Sequence, residues 1–159
     1  MKSTPSLIQR LLGWLRIRPA AAKGPAHLRT GEWGEGEAEK VLTAAGMRTL
    51  GRRVRAGRRG EIDLLMRDAE VLVFVEVKTR ASEDFGRPVE SVKRDKRLMA
   101  SRAAVAYLKG LRDPPRHFRF DVVEVVGRSG GPPPKVRHIR NAFPLEGRLR
   151  PPLPTRPGG

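Results

Sequence analysis

The chain has 159 residues, and 33 Lys and Arg against 17 Asp and Glu give it a formal net charge of +16. This length allows one domain with tails, and no apolar run approaches the ~20 residues that cross a bilayer. The sequence contains no Cys, which excludes disulfides and thiolate metal sites and fits the reducing cytoplasm. The excess of positive charge favours a polyanionic partner, nucleic acid first and an anionic membrane surface second.

The two ends of the chain differ in composition from its middle. Residues 1–29 form a basic arm without acidic residues, in which apolar positions recur at helical spacing from Leu7 to Leu15 and stop before Pro19. This spacing predicts an amphipathic helix. Residues 145–159 are rich in Pro, Gly and Arg, which predicts a disordered tail. A single folded domain is therefore expected over residues 30–144.

Apolar periodicity divides this domain into two helices and five strands. The first helix is expected to begin after Thr30 as its cap and to end at Gly46. The elements are expected at residues 31–45 (helix), 47–54, 61–67 and 71–79 (strands), 91–111 (helix), and 118–126 and 136–140 (strands). This order, α-β-β-β-α-β-β, predicts an α/β or α+β architecture in which helices flank a mixed sheet.

Charged residues fall where a buried strand should be apolar. Glu76 and Lys78 lie inside the strand at residues 71–79, and alternation puts both side chains on one face. If Ala69-Glu70 is a two-residue hairpin loop, Asp63 of the preceding strand lies opposite Glu76. Directly opposed like charges destabilise a sheet, so these carboxylates require a cation, which Lys78 or a divalent metal would supply.

The charges alone leave two interpretations open. An inert ion pair of Lys78 with Glu76 or Asp63 would satisfy the strand end, because such pairs are common at sheet edges. A metal site is the alternative, and oxygen ligands in a chain without Cys favour Mg²⁺ or Mn²⁺ over zinc. The three histidines, His27, His117 and His138, are scattered and lack metal-ligand spacing.

Asp63 followed by Glu76-Val77-Lys78 resembles the PD-(D/E)xK signature of restriction-endonuclease-like nucleases. More closely, the chain resembles the YraN-like proteins, uncharacterised protein family 0102, and a restriction-endonuclease-like core is the fold that this resemblance implies. The matching stretches follow one another over nearly all of residues 30–144: Gly34-Glu35-x-x-Ala38, Gly60-Glu61-Ile62-Asp63-Leu64, Val73-Phe74-Val75-Glu76-Val77-Lys78-Thr79-Arg80, Phe85-Gly86-x-Pro88-x-Glu90, Arg119-Phe120-Asp121-Val122-Val123 and His138-Ile139-x-Asn141-Ala142-Phe143.

The resemblance implies a Mg²⁺-dependent (or Mn²⁺-dependent) nuclease that hydrolyses phosphodiester bonds, with branched or damaged DNA as the expected substrate. Asp63 and Glu76 would bind the metal, and Lys78 would orient the attacking water or stabilise the transition state. Glu35 falls where Holliday-junction resolvases of this fold place a metal-binding Glu on their first helix, so it would join the catalytic and metal-binding set. An acid in a first helical turn is also favoured by the helix dipole alone.

Basic residues around these carboxylates are expected to bind the nucleic acid backbone. Few aromatic residues are present, so backbone and shape recognition should exceed base stacking. DNA is favoured over RNA, and a homodimer remains open. The other functions considered are nucleic acid binding without turnover, and docking to a membrane or partner through the N-terminal helix. The predicted backbone-binding residues are Arg52, Arg53, Arg55, Arg58, Arg59, Arg80, Lys93, Arg94, Lys96 and Arg97.

Overall fold

The computed structural model describes residues 26–58, 60–82 and 93–152. Its element order and its α+β class are those that the sequence predicts. The predicted N-terminal amphipathic helix, Arg59 and the end of the predicted tail lie outside the described residues. The elements are α1 (Ala26–Ala44), β1 (Arg48–Ala56), β2 (Gly60–Asp68), β3 (Val71–Arg80), α2 (Arg94–Lys109), β4 (His117–Val126) and β5 (Lys135–Phe143).

The strands form one mixed sheet in the order β1-β2-β3-β4-β5. Only β3 and β4 run parallel, and α2 connects them, while every other neighbouring pair is antiparallel. In the β2–β3 hairpin Asp68 pairs with Val71, which confirms the predicted two-residue loop. Ala69 in that loop has a positive φ of 50°, a conformation that the tight turn imposes on its first residue.

Each face of the sheet carries its own apolar core. On the α2 side, Phe74 and Phe120 pack with Leu108 of the helix. On the α1 side, Val73 and Val123 pack with Leu42. Because the first half of β3 is buried on both faces, residues Val71–Val75 are continuously apolar rather than alternating. None of the helices among the described residues is long and apolar enough to span a membrane.

The boundaries of several elements differ from the expectation. Helix α1 begins at Ala26, so Thr30 lies within the helix and is not its cap. The predicted stop at Gly46 is confirmed, since Gly46 has a φ of +92° and its N–H donates to the carbonyl of Thr43 at 3.0 Å. Strand β5 extends to Phe143, whose ring stacks on Phe120 with centroids 4.9 Å apart.

The first residues of the predicted disordered tail pack against α2. The N–H of Glu146 donates to Ser101 Oγ at 2.9 Å, and Leu145 packs on the core. The Glu146 carboxylate lies 2.9 Å from Arg97 Nε, although the two groups lack hydrogen-bond alignment. The sequence predicted disorder here because the segment is rich in Pro, Gly and Arg. Its few apolar and acidic residues show no local pattern that would indicate packing.

Candidate active site

The predicted carboxylates meet beside the carboxyl-terminal half of β3. Leu64 of β2 pairs with Val75 of β3, so the next positions along the two strands are Asp63 and Glu76. The Asp63 Oδ2 atom accepts a hydrogen bond from the backbone N–H of Val77 at 2.8 Å. The side chain thus continues the hairpin beyond its last paired residues, which fixes the direction of the carboxylate.

Side-chain alternation along β2 is interrupted at Asp63. Leu64 packs in the core on the α1 side, whereas Ile62, two residues away, packs on the α2 side. Arg53, at the register position facing Asp63 on β1, has a positive φ of 48°. A non-glycine residue in this conformation is uncommon, and Arg53 faces the position at which side-chain alternation along β2 is interrupted.

Helix α1 approaches the same end of β3 closely enough to bring Glu35 near Asp63. A Cβ added at Gly34 would collide with the side-chain oxygen of Thr79, so only glycine permits this contact between helix and strand. The neighbouring Glu35 is half-buried and lies within electrostatic reach of Asp63. Glu35 on α1 therefore lies near Asp63 on β2, although the two residues are distant in sequence.

The carboxylates at this site lie in a low-dielectric environment and repel each other. Burial, and secondly the charge of Glu76, raise the pKa of Asp63 to about 6, although the Val77 N–H and Lys78 oppose the shift. Burial, followed by the charge of Asp63, raises the pKa of Glu35 to about 7. Binding of a cation or a proton would reduce the repulsion between these carboxylates and the cost of burying their charge.

Two lysines approach the same oxygen of Glu76. Lys78 Nζ donates to Glu76 Oε1 at 2.9 Å, and Lys96 Nζ of α2 lies 4.0 Å from that atom. The side chains of Glu76 and Lys78 are 19% and 21% exposed, so the pair is accessible from solvent. The ion pair that the sequence left open is present, and the charge of Glu76 still raises the pKa of Asp63 while Lys78 lowers it.

The fit of a metal ion depends on Asp63 and Glu76. Within residues 26–58, 60–82 and 93–152, no group of three or more His, Asp or Glu side chains is placed to hold a metal. The structure therefore does not unite Glu35 with the other two carboxylates as a three-ligand site. A pair of carboxylates nevertheless suits Mg²⁺, which keeps several waters and takes one or two protein carboxylates together with substrate phosphate.

The predicted backbone-binding residues fall into two groups. Some are already held by acids: Arg53 bonds to Glu32 at 3.1 Å and Arg52 to Glu39 at 2.6 Å. Arg80 and Arg97 also have acidic partners. Others are exposed at the end of β1, in the β1–β2 turn and at the start of α2, namely Arg55, Arg58, Lys93, Arg94 and Lys96. Of these, Arg55 lies 3.7 Å from Glu61 and Lys96 lies 4.0 Å from Glu76.

Sequence analysis missed two buried acids of β4. Asp121 is fully buried and accepts hydrogen bonds from Arg119 at 2.9 Å and from the Asn141 N–H at 2.9 Å, with His138 Nε2 2.8 Å away. Glu124 is 2% exposed. Both interrupt an apolar strand, the same signal that singled out Glu76, so the pattern was available in the sequence.

Comparison with known proteins places most of this domain in one group. The family model described as "Uncharacterised protein family UPF0102" matches residues 34–125. A UPF0102 protein of Symbiobacterium thermophilum is 48% identical over 117 residues, covering 72% of this chain and 96% of that relative. A relative from Rhodococcus jostii is 42% identical over 121 residues (74% and 98%), and one from Bordetella avium is 40% identical over 139 residues (86% and 88%). All the candidate catalytic residues lie inside the matched region.

Proposed function

Because the chain belongs to the uncharacterised protein family UPF0102, we propose its function from the site itself: a nuclease that uses Mg²⁺ or Mn²⁺ to hydrolyse phosphodiester bonds in DNA. The observation that supports the proposal is the position of Asp63 and Glu76 side by side next to Lys78, in a chain of net charge +16. The resemblance to junction-cleaving nucleases favours branched or damaged DNA as the substrate.

Each residue has a distinct role in this proposal. Asp63 and Glu76 hold the metal, which supplies a Lewis acid and an activated water when bound. Lys78 donates to the non-bridging oxygens as negative charge develops on phosphorus. Glu35, with a pKa of about 7, accepts the proton that the attacking water releases. Water forms the new P–O bond, one ester P–O bond breaks, and the leaving oxygen takes a proton from solvent.

Nucleic acid binding without turnover is the second candidate. The 2.9 Å ion pair between Lys78 and Glu76 favours it, because a paired lysine and carboxylate need no metal. Docking through the N-terminal helix, the third function that the sequence left open, depends on residues outside the described part of the chain.

Two substitutions separate catalysis from binding. Glu76→Ala should abolish metal-dependent cleavage of linear, flapped and four-way DNA, yet leave binding in chelator unchanged or slightly tighter, because it removes a negative charge facing the phosphate. Lys78→Ala should also abolish cleavage, but it should weaken binding by one cationic contact. Glu70→Ala is the control, since Glu70 is an exposed acid of the β2–β3 loop that pairs with Arg67.

The nuclease proposal fails if wild-type protein cleaves none of these substrates with Mg²⁺ or Mn²⁺. It also fails if both variants only lower the melting temperature and leave the response of the protein to Mg²⁺ unchanged, because Glu76 and Lys78 then form a structural pair. In either case the binding function replaces the nuclease.

A further inference from the structure

Glu124 is a buried acid that the proposed reaction does not use. It lies in β4 between Val123 and Val125, with only 2% of the residue exposed. Glutamate is almost never fully buried unless it is paired. Replacing buried ion pairs by apolar residues is often neutral or stabilising, so stability alone gives little reason for a charge at this position.

Two arginines each contact one oxygen of this carboxylate. Arg80 Nε of β3 lies 3.5 Å from Glu124 Oε1, and Arg137 Nη1 of β5 donates to Glu124 Oε2 at 3.1 Å. The arginine side chains remain 20% and 40% exposed. Glu124 thus orients two guanidinium groups that still reach the surface.

This group adjoins the candidate active site. Glu124 pairs in register with Lys78 on one side and with Arg137 on the other. Lys78 and Arg80 are two residues apart on β3, so their side chains share one face at a separation of about 6.6 Å along the strand. The cations therefore continue in a row away from the paired carboxylates.

We propose that Arg80 and Arg137, held by Glu124, form a phosphate-binding subsite for the nucleic acid backbone next to the phosphate at Lys78. The identity of this ligand rests on the proposed function. Guanidinium groups match phosphate oxygens in a bidentate manner. Each has five N–H donors, and each side chain remains partly exposed to solvent beside the carboxylate. Glu124 acts as a positioning residue.

The direction in which one substitution changes DNA affinity tests this role. Glu124→Gln removes a negative charge close to a polyanion, so simple electrostatics requires tighter binding. Loss of positioning requires the opposite: about three- to tenfold weaker binding of labelled duplex DNA in chelator, and a log-affinity against log-salt slope shallower by about one to two units. Glu70→Gln, which removes the same charge from an exposed loop pair, should leave binding unchanged or tighten it.

A second variant covers the case in which Glu124→Gln does not fold. Arg137→Lys, at a 40% exposed position on the edge strand, keeps the charge. It loses the planar guanidinium group with its paired N–H donors, so DNA binding should again weaken. The proposal is overturned if Glu124→Gln binds more tightly, or if Arg137→Lys retains wild-type affinity and salt slope. Because binding is measured in chelator, a protein that never cleaves DNA would refute the nuclease proposal without affecting this result.

Discussion

Replacement of Asp63 by Asn should stabilise the metal-free protein at neutral pH. Burial and the charge of Glu76 raise the pKa of Asp63 from 3.8 to about 6. Each pKa unit corresponds to about 1.4 kcal/mol, so ionised Asp63 costs the folded state at most about 3 kcal/mol. The Asn side-chain oxygen can still accept the Val77 N–H, and the substitution therefore removes the charge with little change of shape.

The sign of the pH dependence follows from proton binding. Between pH 3.8 and about 6 the folded wild type binds more protons than the unfolded chain, so its stability falls as pH rises through this window. The amide of the Asp63→Asn variant does not titrate. The stability difference between variant and wild type should therefore grow by about 2 kcal/mol from pH ~4.5 to pH ~8. Asp63 also raises the pKa of Glu35, so relief at Glu35 adds in the same direction.

Urea unfolding in chelator, followed by circular dichroism at these two pH values, measures the difference. Added Mg²⁺ should then stabilise the wild type by about 2.7 kcal/mol at a hundredfold excess over its Kd, and the Asp63→Asn variant much less. Glu70→Gln serves as the control and should follow the wild-type pH profile. If the stability of wild type and of Asp63→Asn changed with pH in parallel, the argument that burial and like charge raise the pKa of Asp63 would be refuted.

Two further outcomes are expected. Replacing the exposed Arg55 and Arg58 together with Ala should make the salt dependence of duplex binding shallower by about one to two units, and an unchanged slope in a filter-binding titration would place the binding surface elsewhere. Gly34→Ala should lower the free energy of unfolding by about 1–3 kcal/mol because its methyl group meets Thr79. Gly36→Ala, with no atom within 4 Å of the added carbon, should instead gain about 0.5–1 kcal/mol; equal effects in thermal melts would contradict the close contact.

Local patterns in the sequence were sufficient to predict the β2–β3 hairpin and the position of Asp63 relative to Glu76. The apolar run of β3 and the two-residue loop at Ala69-Glu70 determine the hairpin register, and this register alone predicts Asp63 opposite Glu76. Side-chain alternation then places Lys78 on the face of Glu76. These features depend on residues within about twenty positions of one another, so short-range periodicity and turn geometry specify them.

Contacts between distant segments decided the remainder. The positive φ of Arg53, the approach of Gly34 to Thr79 and the pairing of Glu124 with two arginines each require strands and helices to be packed against one another. No local pattern encodes which buried acid meets which cation, because the partners lie on different elements. The raised pKa of Asp63 has the same origin: its size depends on burial and on neighbouring charges, and both exist only after the layers have assembled.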